Sequence, residues 1–223
     1  MFGARWVNKG KCCGKRLCCV FQCEDIQIQN GIANLHSTGV SSTATFSCET
    51  GYRLLGNKSL TCAQIGRGEY MPICFACPET IVSFGGSTYT FRCGYHTWDK
   101  AKAYCEIQGG NLTSIETKEE NDFLKYVATL ILMSGETQQN RWWIGLIQKD
   151  RKTEGPFEWM SGHPLSYTDW SQGPPSQPDD TTFIIGFGTE SDCTSLSPDN
   201  SFQWADDDCS IVYFSQICEF RYQ

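Results

Sequence analysis

Fourteen of the 223 residues are cysteine, and that count limits what the chain can fold into more than any other feature. Cysteine at this density belongs to small domains held by disulfides in an oxidising compartment. The competing arrangement, a thiolate metal protein, needs C-x-x-C pairs and histidines. Beyond Cys23 most cysteines lie far apart, and the histidines are His36, His96 and His163 alone. Disulfides are therefore expected, in two small domains or one large one.

Charge is divided unevenly. Residues 1–22 hold Arg5, Lys9, Lys11, Lys15 and Arg16 and no acid. The whole chain has 18 basic and 25 acidic groups, net -7, so the rest carries 13 against 25, or -12. An acidic body argues against nucleic acid as the partner, since phosphate binding needs a basic surface. It is compatible with calcium binding or with simple solubility. Hydrophobic residues make up 40% and aromatics 13%, enough for a packed core. No apolar run of about 18 residues occurs, so no membrane-spanning segment is expected. Residues 1–22 also lack the apolar stretch of a secretory leader, and no signal peptide is visible. A fragment, a mature form and a misassigned first exon all stay open. The run K-C-C-G-K-R-L-C-C, with Cys12, Cys13, Cys18 and Cys19, admits a small knot, an intermolecular link or lipidation. The segment 1–22 is expected as a poorly ordered, cysteine-rich basic tail.

Between Cys23 and Cys74 stand Cys48 and Cys62. Four cysteines allow three pairings, and spacing does not choose among them. The intervening sequence is strand-like, A-T-F-S-C-E-T-G-Y-R-L-L-G and then S-L-T-C, with Gly51 and Gly56 as turn punctuation. A domain of about 50 residues buries too little surface to stand without staples. Two bridges would add roughly 2 to 4 kcal/mol each. The segments F-S-C-E-T-G-Y-R-L-L-G-N, S-L-T-C and G-E-Y-M-P-I-C resemble a sushi (complement control) module over 23–74. The resemblance implies the pairs Cys23–Cys62 and Cys48–Cys74 and a spacer or protein-binding role. Tyr70 stands where such modules carry a core tryptophan, so a weaker core is expected.

From Cys77 onward the signals are denser. T-W-D-K-A-K-A-Y-C, ending at Cys105, reads as a helix capped by Thr97, with Trp98, Ala101 and Cys105 on one face. A second helix begins at Thr117, where Glu120 completes a capping box. Phe123, Val127, Leu130 and Ile131 follow at helical spacing. R-W-W-I-G-L, residues 141–146, reads as an apolar strand, as do Phe202–Trp204 and Ser215–Phe220. From about Lys149 to Asp192, Gly, Pro, Ser and Asp dominate. So long a loop inside one domain is expected to be functional.

Taken in order, T-W-x-x-A-x-x-x-C, G-G-N-L-T-S-I, W-I-G-L, W-M-S-G, Y-T-D-W, Q-P-D, W-A-D-D-D-C and I-C-E-F resemble a C-type lectin-like domain over 77–223. The resemblance implies an α+β C-type lectin fold with two helices, antiparallel sheets and a long loop region, beside the small all-β disulfide-stapled sushi module. It also implies the bridges Cys105–Cys218 and Cys193–Cys209. In the family's long form an extra bridge has its second cysteine near Thr88. Here a hairpin turning at Gly85–Gly86 would set residues 77 and 93 opposite each other, and Cys77–Cys93 is expected.

In sugar-binding members of the family, vicinal hydroxyls complete a calcium shell, and Q-P-D goes with galactose-type rather than mannose-type ligands. Carried over residue by residue, the resemblance nominates Gln177, Asp179 and Asp206 as metal and sugar ligands. Glu190 and Asp207 are further candidates, and Ca2+ is the cofactor. Calcium takes six to eight oxygens, and Asp179, Asp180 and Asp206 to Asp208 would repel one another without a cation. Two expected ligands are altered. Ala205 has no side-chain oxygen where the family has Asn, and Ser191 replaces a Glu, with Glu190 one place away. Phe183 is the nearest ring that could stack on a sugar. The expectation is an extracellular protein that binds glycans or glycoproteins, with the sushi module open to protein partners. The alternative is a calcium-independent protein-interaction module with a degenerate sugar site.

The glycosylation pattern fits Asn57, on a surface loop, better than Asn111, at a strand entry. Trp143, Trp159, Trp170 and Trp204 are expected mostly in the core rather than as a stacking platform. No nucleophile–base pair, phosphate loop or H-E-x-x-H motif accompanies the histidines, so no enzyme is expected. A glycosidase-like pair of Asp179 and Asp206 needs more assumptions than a shared cation.

Overall fold

The computed structural model describes residues 5–12, 16–23, 26–37, 39, 41–137, 140–148, 155–179, 182–184, 187–189, 192–210 and 212–221. The chain divides into two compact units, Met1–Ala76 and Cys77–Gln223.

In the first unit, the segment expected as a poorly ordered tail carries an antiparallel hairpin. Strand β1 (Arg5–Cys12) pairs with β2 (Arg16–Gln22), with an irregular register between Asn8 and Lys11. Then come β3 (Gly31–Leu35), β4 (Thr43–Cys48), β5 (Arg53–Leu55), β6 (Ser59–Thr61), the short helix α1 (Cys62–Gly66) and β7 (Ile73–Phe75). Strands β3, β4 and β6 form one sheet and β5 and β7 a ribbon. Ala44, Phe46 and Leu60 are buried, with Ile26, Ile28, Leu35, Leu54 and Ile65 around them. Helix α1 breaks the all-strand expectation for a local reason. Thr61 accepts the Gln64 N–H, and the Gln64 side chain accepts the Thr61 N–H at 2.8 Å, a reciprocal cap. The bridges Cys23–Cys62 and Cys48–Cys74 close this small core, with Cα–Cα distances of 5.6 and 5.5 Å.

The second unit opens with β8 (Glu79–Phe84) and β9 (Ser87–His96), joined by Gly85 and Gly86 at φ 60° and 93°. Two consecutive residues at positive φ make the tight hairpin turn that side chains resist. That turn aligns Glu79 with Arg92 and brings Cys77 to Cys93, joined at a Cα–Cα distance of 5.7 Å. Next come α2 (Trp98–Ile107), β10 (Asn111–Leu112), α3 (Lys118–Ser134), β11 (Trp142–Gln148) and β12 (Phe157–Trp159). The chain ends with β13 (Thr182–Ile184), β14 (Phe187–Thr189), β15 (Cys193–Ser197), a 3-10 turn at Pro198–Asn200, β16 (Gln203–Asp207) and β17 (Phe214–Arg221).

The main sheet runs β16-β15-β11-β17-β9-β8, and β13 and β14 form a separate pair. It is mixed rather than wholly antiparallel as expected, because β11 and β17 run parallel. The α+β lectin-like architecture otherwise stands, with α2 and α3 in this unit and α1 as a third, short helix in the first. Alternation along β9 decides which helix lies on which face. Arg92 stacks on Tyr104 of α2 at 4.1 Å, while Tyr89 donates to Glu120 of α3 at 2.5 Å. Trp98, Ala101, Cys105, Leu112, Trp143 and Ile147 fill the core beneath α2, together with the Cys105–Cys218 and Cys193–Cys209 bridges.

Both helix starts depart from their sequence reading. Thr97 sits at the cap of α2 with extended backbone but makes no side-chain cap bond. Thr117 caps α3 by accepting the Glu120 N–H at 3.2 Å, yet the Glu120 carboxylate turns to the Glu116 N–H and Tyr89 instead of closing the box. Burial pushes the Glu120 carboxyl up, against the pull of those two bonds.

Candidate functional site

The site is built on the edge of β16 that faces away from β15. Trp204 is fully buried and anchors that edge. Its indole N–H donates to Asn121 at 2.9 Å, and Trp159, Trp170 and Tyr167 meet it edge-on at 5.5, 5.7 and 5.9 Å. Trp143, Trp159 and Trp204 are core residues and Trp170 is half-buried, so the tryptophans pack the fold rather than form a platform. Asp169 then pins the loop. Its carboxylate accepts from Lys125 at 2.7 Å, Asn121 at 2.8 Å and Gln203 at 3.2 Å, and its carbonyl accepts the Trp204 N–H at 2.9 Å. Ser171 N–H reaches Trp204 O at 2.9 Å, and Gln177 N–H reaches Ser171 O at 2.8 Å. The Gln177–Pro178 bond is cis.

Three of the nominated residues meet here. The side-chain oxygen of Gln177 accepts the Asp206 N–H at 3.0 Å. The carboxylate of Asp206 accepts the Asp179 N–H, at 3.1 and 3.2 Å from its two oxygens. Two residues of the aspartate run go elsewhere. Side chains alternate along a strand, so Asp207 faces away from Asp206. It pairs with Arg141 at 2.8 Å and accepts the Ser195 hydroxyl at 2.7 Å. Asp208 accepts both the N–H and the hydroxyl of Ser210, at 2.7 and 2.8 Å. Ala205 is buried. Glu190, together with Asp180 and Ser191, lies outside the described residues.

The mutual repulsion expected of these aspartates is therefore relieved in part without any cation. Arg141 also pairs with Asp199 at 2.7 Å, and its hydrogen bond holds the Asp199 carboxyl below the usual range. For Asp207 burial wins over the guanidinium and pushes the carboxyl up to about 6. Arg141 was read in the sequence only as the start of an apolar strand. The signal for its role was a lone basic residue beside W-W-I-G-L in an acidic domain. The side-chain oxygens of Gln177, Asp179 and Asp206 are the hard donors calcium prefers, so the donor type fits. Their number falls short of a six- to eight-oxygen shell, and no cluster of three or more His, Cys, Asp or Glu poised for a metal occurs among the described residues.

Comparison with known proteins agrees with this architecture. The family model for the C-type lectin domain matches residues 95–220, and that for the sushi repeat matches 22–74. Human lithostathine-1-beta is 34% identical over 148 residues, 66% of this chain and 79% of the relative. The mouse low affinity immunoglobulin epsilon Fc receptor is 30% identical over 146 residues, 66% of this chain and 38% of its own length. Human lithostathine superposes with a TM-score of 0.51 at 33% identity, over 66% of this chain and 100% of that one. The cow C-type carbohydrate-recognition domain of CD23, solved in the presence of a GlcNAc2Man3 oligosaccharide, gives 0.50 at 31% identity, over 67% and 99%. By sequence match and by fold, then, the chain belongs to the C-type lectin domain family, with a sushi repeat ahead of its lectin domain.

Proposed function

We propose that the lectin unit recognises carbohydrate, and that its ligand is a galactose-type glycan bound with calcium at the 177–179 turn. The observation that carries the reading is the convergence of Gln177, Asp179 and Asp206 within three hydrogen bonds. Membership of a lectin family, with relatives that include a carbohydrate-recognition domain, supports carbohydrate recognition in general. The calcium and the galactose preference rest on the residues themselves. Bound calcium would supply a Lewis-acidic centre for two vicinal hydroxyls. Gln177 and Asp179 orient those hydroxyls, and Asp206 holds the turn against the sheet.

Titrating calcium while following tryptophan emission tests the cation, and a saturating change at millimolar calcium is expected because Trp204 adjoins the site. Asp179→Ala should abolish sugar binding and leave thermal stability in chelator nearly unchanged. Calorimetry with galactose and with mannose separates the two specificities, and a mannose preference would overturn the galactose reading. A second reading draws on Ala205 and on the capture of Asp207 by Arg141. It is a calcium-independent protein-interaction module, and glycan binding that a chelator abolishes would eliminate it. Around either core we place the chain outside the cell, with the sushi module as a spacer or protein-binding bead. Asn57, exposed between β5 and β6, is its glycan acceptor.

A further inference from the structure

The geometry points to Asp206 as a latch that keeps the 177–179 turn in its ligand-presenting form without a cation. The inference deepens the reading above, and rests on it in taking this turn as the ligand-presenting segment.

Strand β16 pairs with β15 on one side only. Its other side is completed by chain that is not a regular strand. Trp204 N–H goes to Asp169 O and Ser171 N–H returns to Trp204 O, both at 2.9 Å. Outward-facing groups on a strand edge recur every second residue, so the next N–H on this edge is that of Asp206. The side-chain oxygen of Gln177 accepts it, at 3.0 Å. The amide of Gln177 thus stands in for the next carbonyl of a strand, while its own backbone N–H is fixed to Ser171 O at 2.8 Å.

The return bonds close the latch. Asp206 is 5% exposed, and both its carboxylate oxygens accept the Asp179 N–H. Hydrogen bonds to an ionised acceptor in a sheltered setting are stronger than neutral ones. Gln177 and Asp179, the two residues that would present a ligand, are therefore both tied to one strand residue through N–H donors. A cation coordinates oxygen and cannot replace those donors. The neighbouring charge is relieved in part as well, since Asp207 pairs with Arg141 and Asp208 accepts from Ser210. Asp206 is accordingly a positioning residue for the turn.

Amide hydrogen exchange of the full chain, followed residue by residue by NMR in chelator and in millimolar calcium, tests the latch. In chelator the amides of Asp179 and Asp206 should exchange at least about 100-fold more slowly than in unstructured chain, with little further change on adding calcium. Asp206→Ala should return the Asp179 amide to near-unstructured exchange while the Trp204 amide stays protected. Asp206→Asn preserves shape and one acceptor oxygen, and should lose only part of that protection. An Asp179 amide that is protected only when calcium is present would overturn the latch. So would one that stays fully protected in Asp206→Ala. A galactose titration on the same samples judges the sugar reading separately. Protection without any sugar binding would sink that reading and leave the latch, and calcium-dependent sugar binding without protection in chelator would do the reverse.

Discussion

Three consecutive aspartates, Asp206, Asp207 and Asp208, meet three environments: alternation along β16 turns Asp207 away from Asp206, and Asp208 lies past the end of that strand. Asp206 takes a backbone N–H from the long loop, Asp207 takes Arg141 and Ser195, and Asp208 takes Ser210. The run reads in the sequence as one acidic patch, yet only its first member joins Gln177 and Asp179. Asp207 has a measurable signature. Its folded carboxyl is raised to about 6 from an ordinary 3.8. The folded state therefore binds this proton more tightly than the unfolded state, so the contribution to stability is complete below the ordinary value and is lost as pH rises through the folded one. Two units at about 1.36 kcal/mol each set a ceiling of about 3 kcal/mol. Denaturant midpoints of wild type and Asp207→Asn, compared from pH 4 to pH 7, should show the wild type losing stability relative to the variant as pH rises. A constant difference across that window would rule the shift out.

Local chemistry was legible at the scale of the element wherever a short motif fixes backbone shape. The Gly85–Gly86 turn, both helices of the lectin unit and the W-W-I-G-L strand stand close to where the sequence put them. Gly145 shows why that strand tolerates little change. A Cβ there would meet Leu112 O at 2.6 Å, because β10 crosses close enough for Gly145 N–H to reach Thr113 O at 2.8 Å. Gly145→Ala should push β10 away and cost about 1 to 3 kcal/mol by denaturant unfolding. Helix caps were harder to read, because a cap side chain is contested by tertiary partners. Glu120 has the spacing of a capping box but is drawn off by Tyr89, which arrives from a strand 31 residues earlier. The parallel pairing of β11 with β17 was equally hidden, since each strand carries the same apolar pattern whichever way its neighbour runs.

For the molecule as a whole, the cysteines act as fixed points. Cys105–Cys218 joins α2 to β17 across a sequence separation of 113 residues, the longest loop closed by any bridge among the described residues. Replacing both cysteines by serine should cost about 4 to 5 kcal/mol by the loop-entropy argument. Replacing Cys77 and Cys93, only 16 apart, should cost less, about 3 kcal/mol. Thermal unfolding of the two double variants tests that order, and equal losses would contradict it. Sequence alone determined the two modules, the Gly85–Gly86 hairpin, the apolar strands and the residue types of a lectin-like turn. Those depend on turn chemistry, periodicity and motif order, which are local or cumulative along the chain. Tertiary structure alone decided which member of the acidic run meets the 177–179 turn. That choice depends on which face of β16 meets the loop and where Arg141 enters, and a linear acidic run carries neither fact.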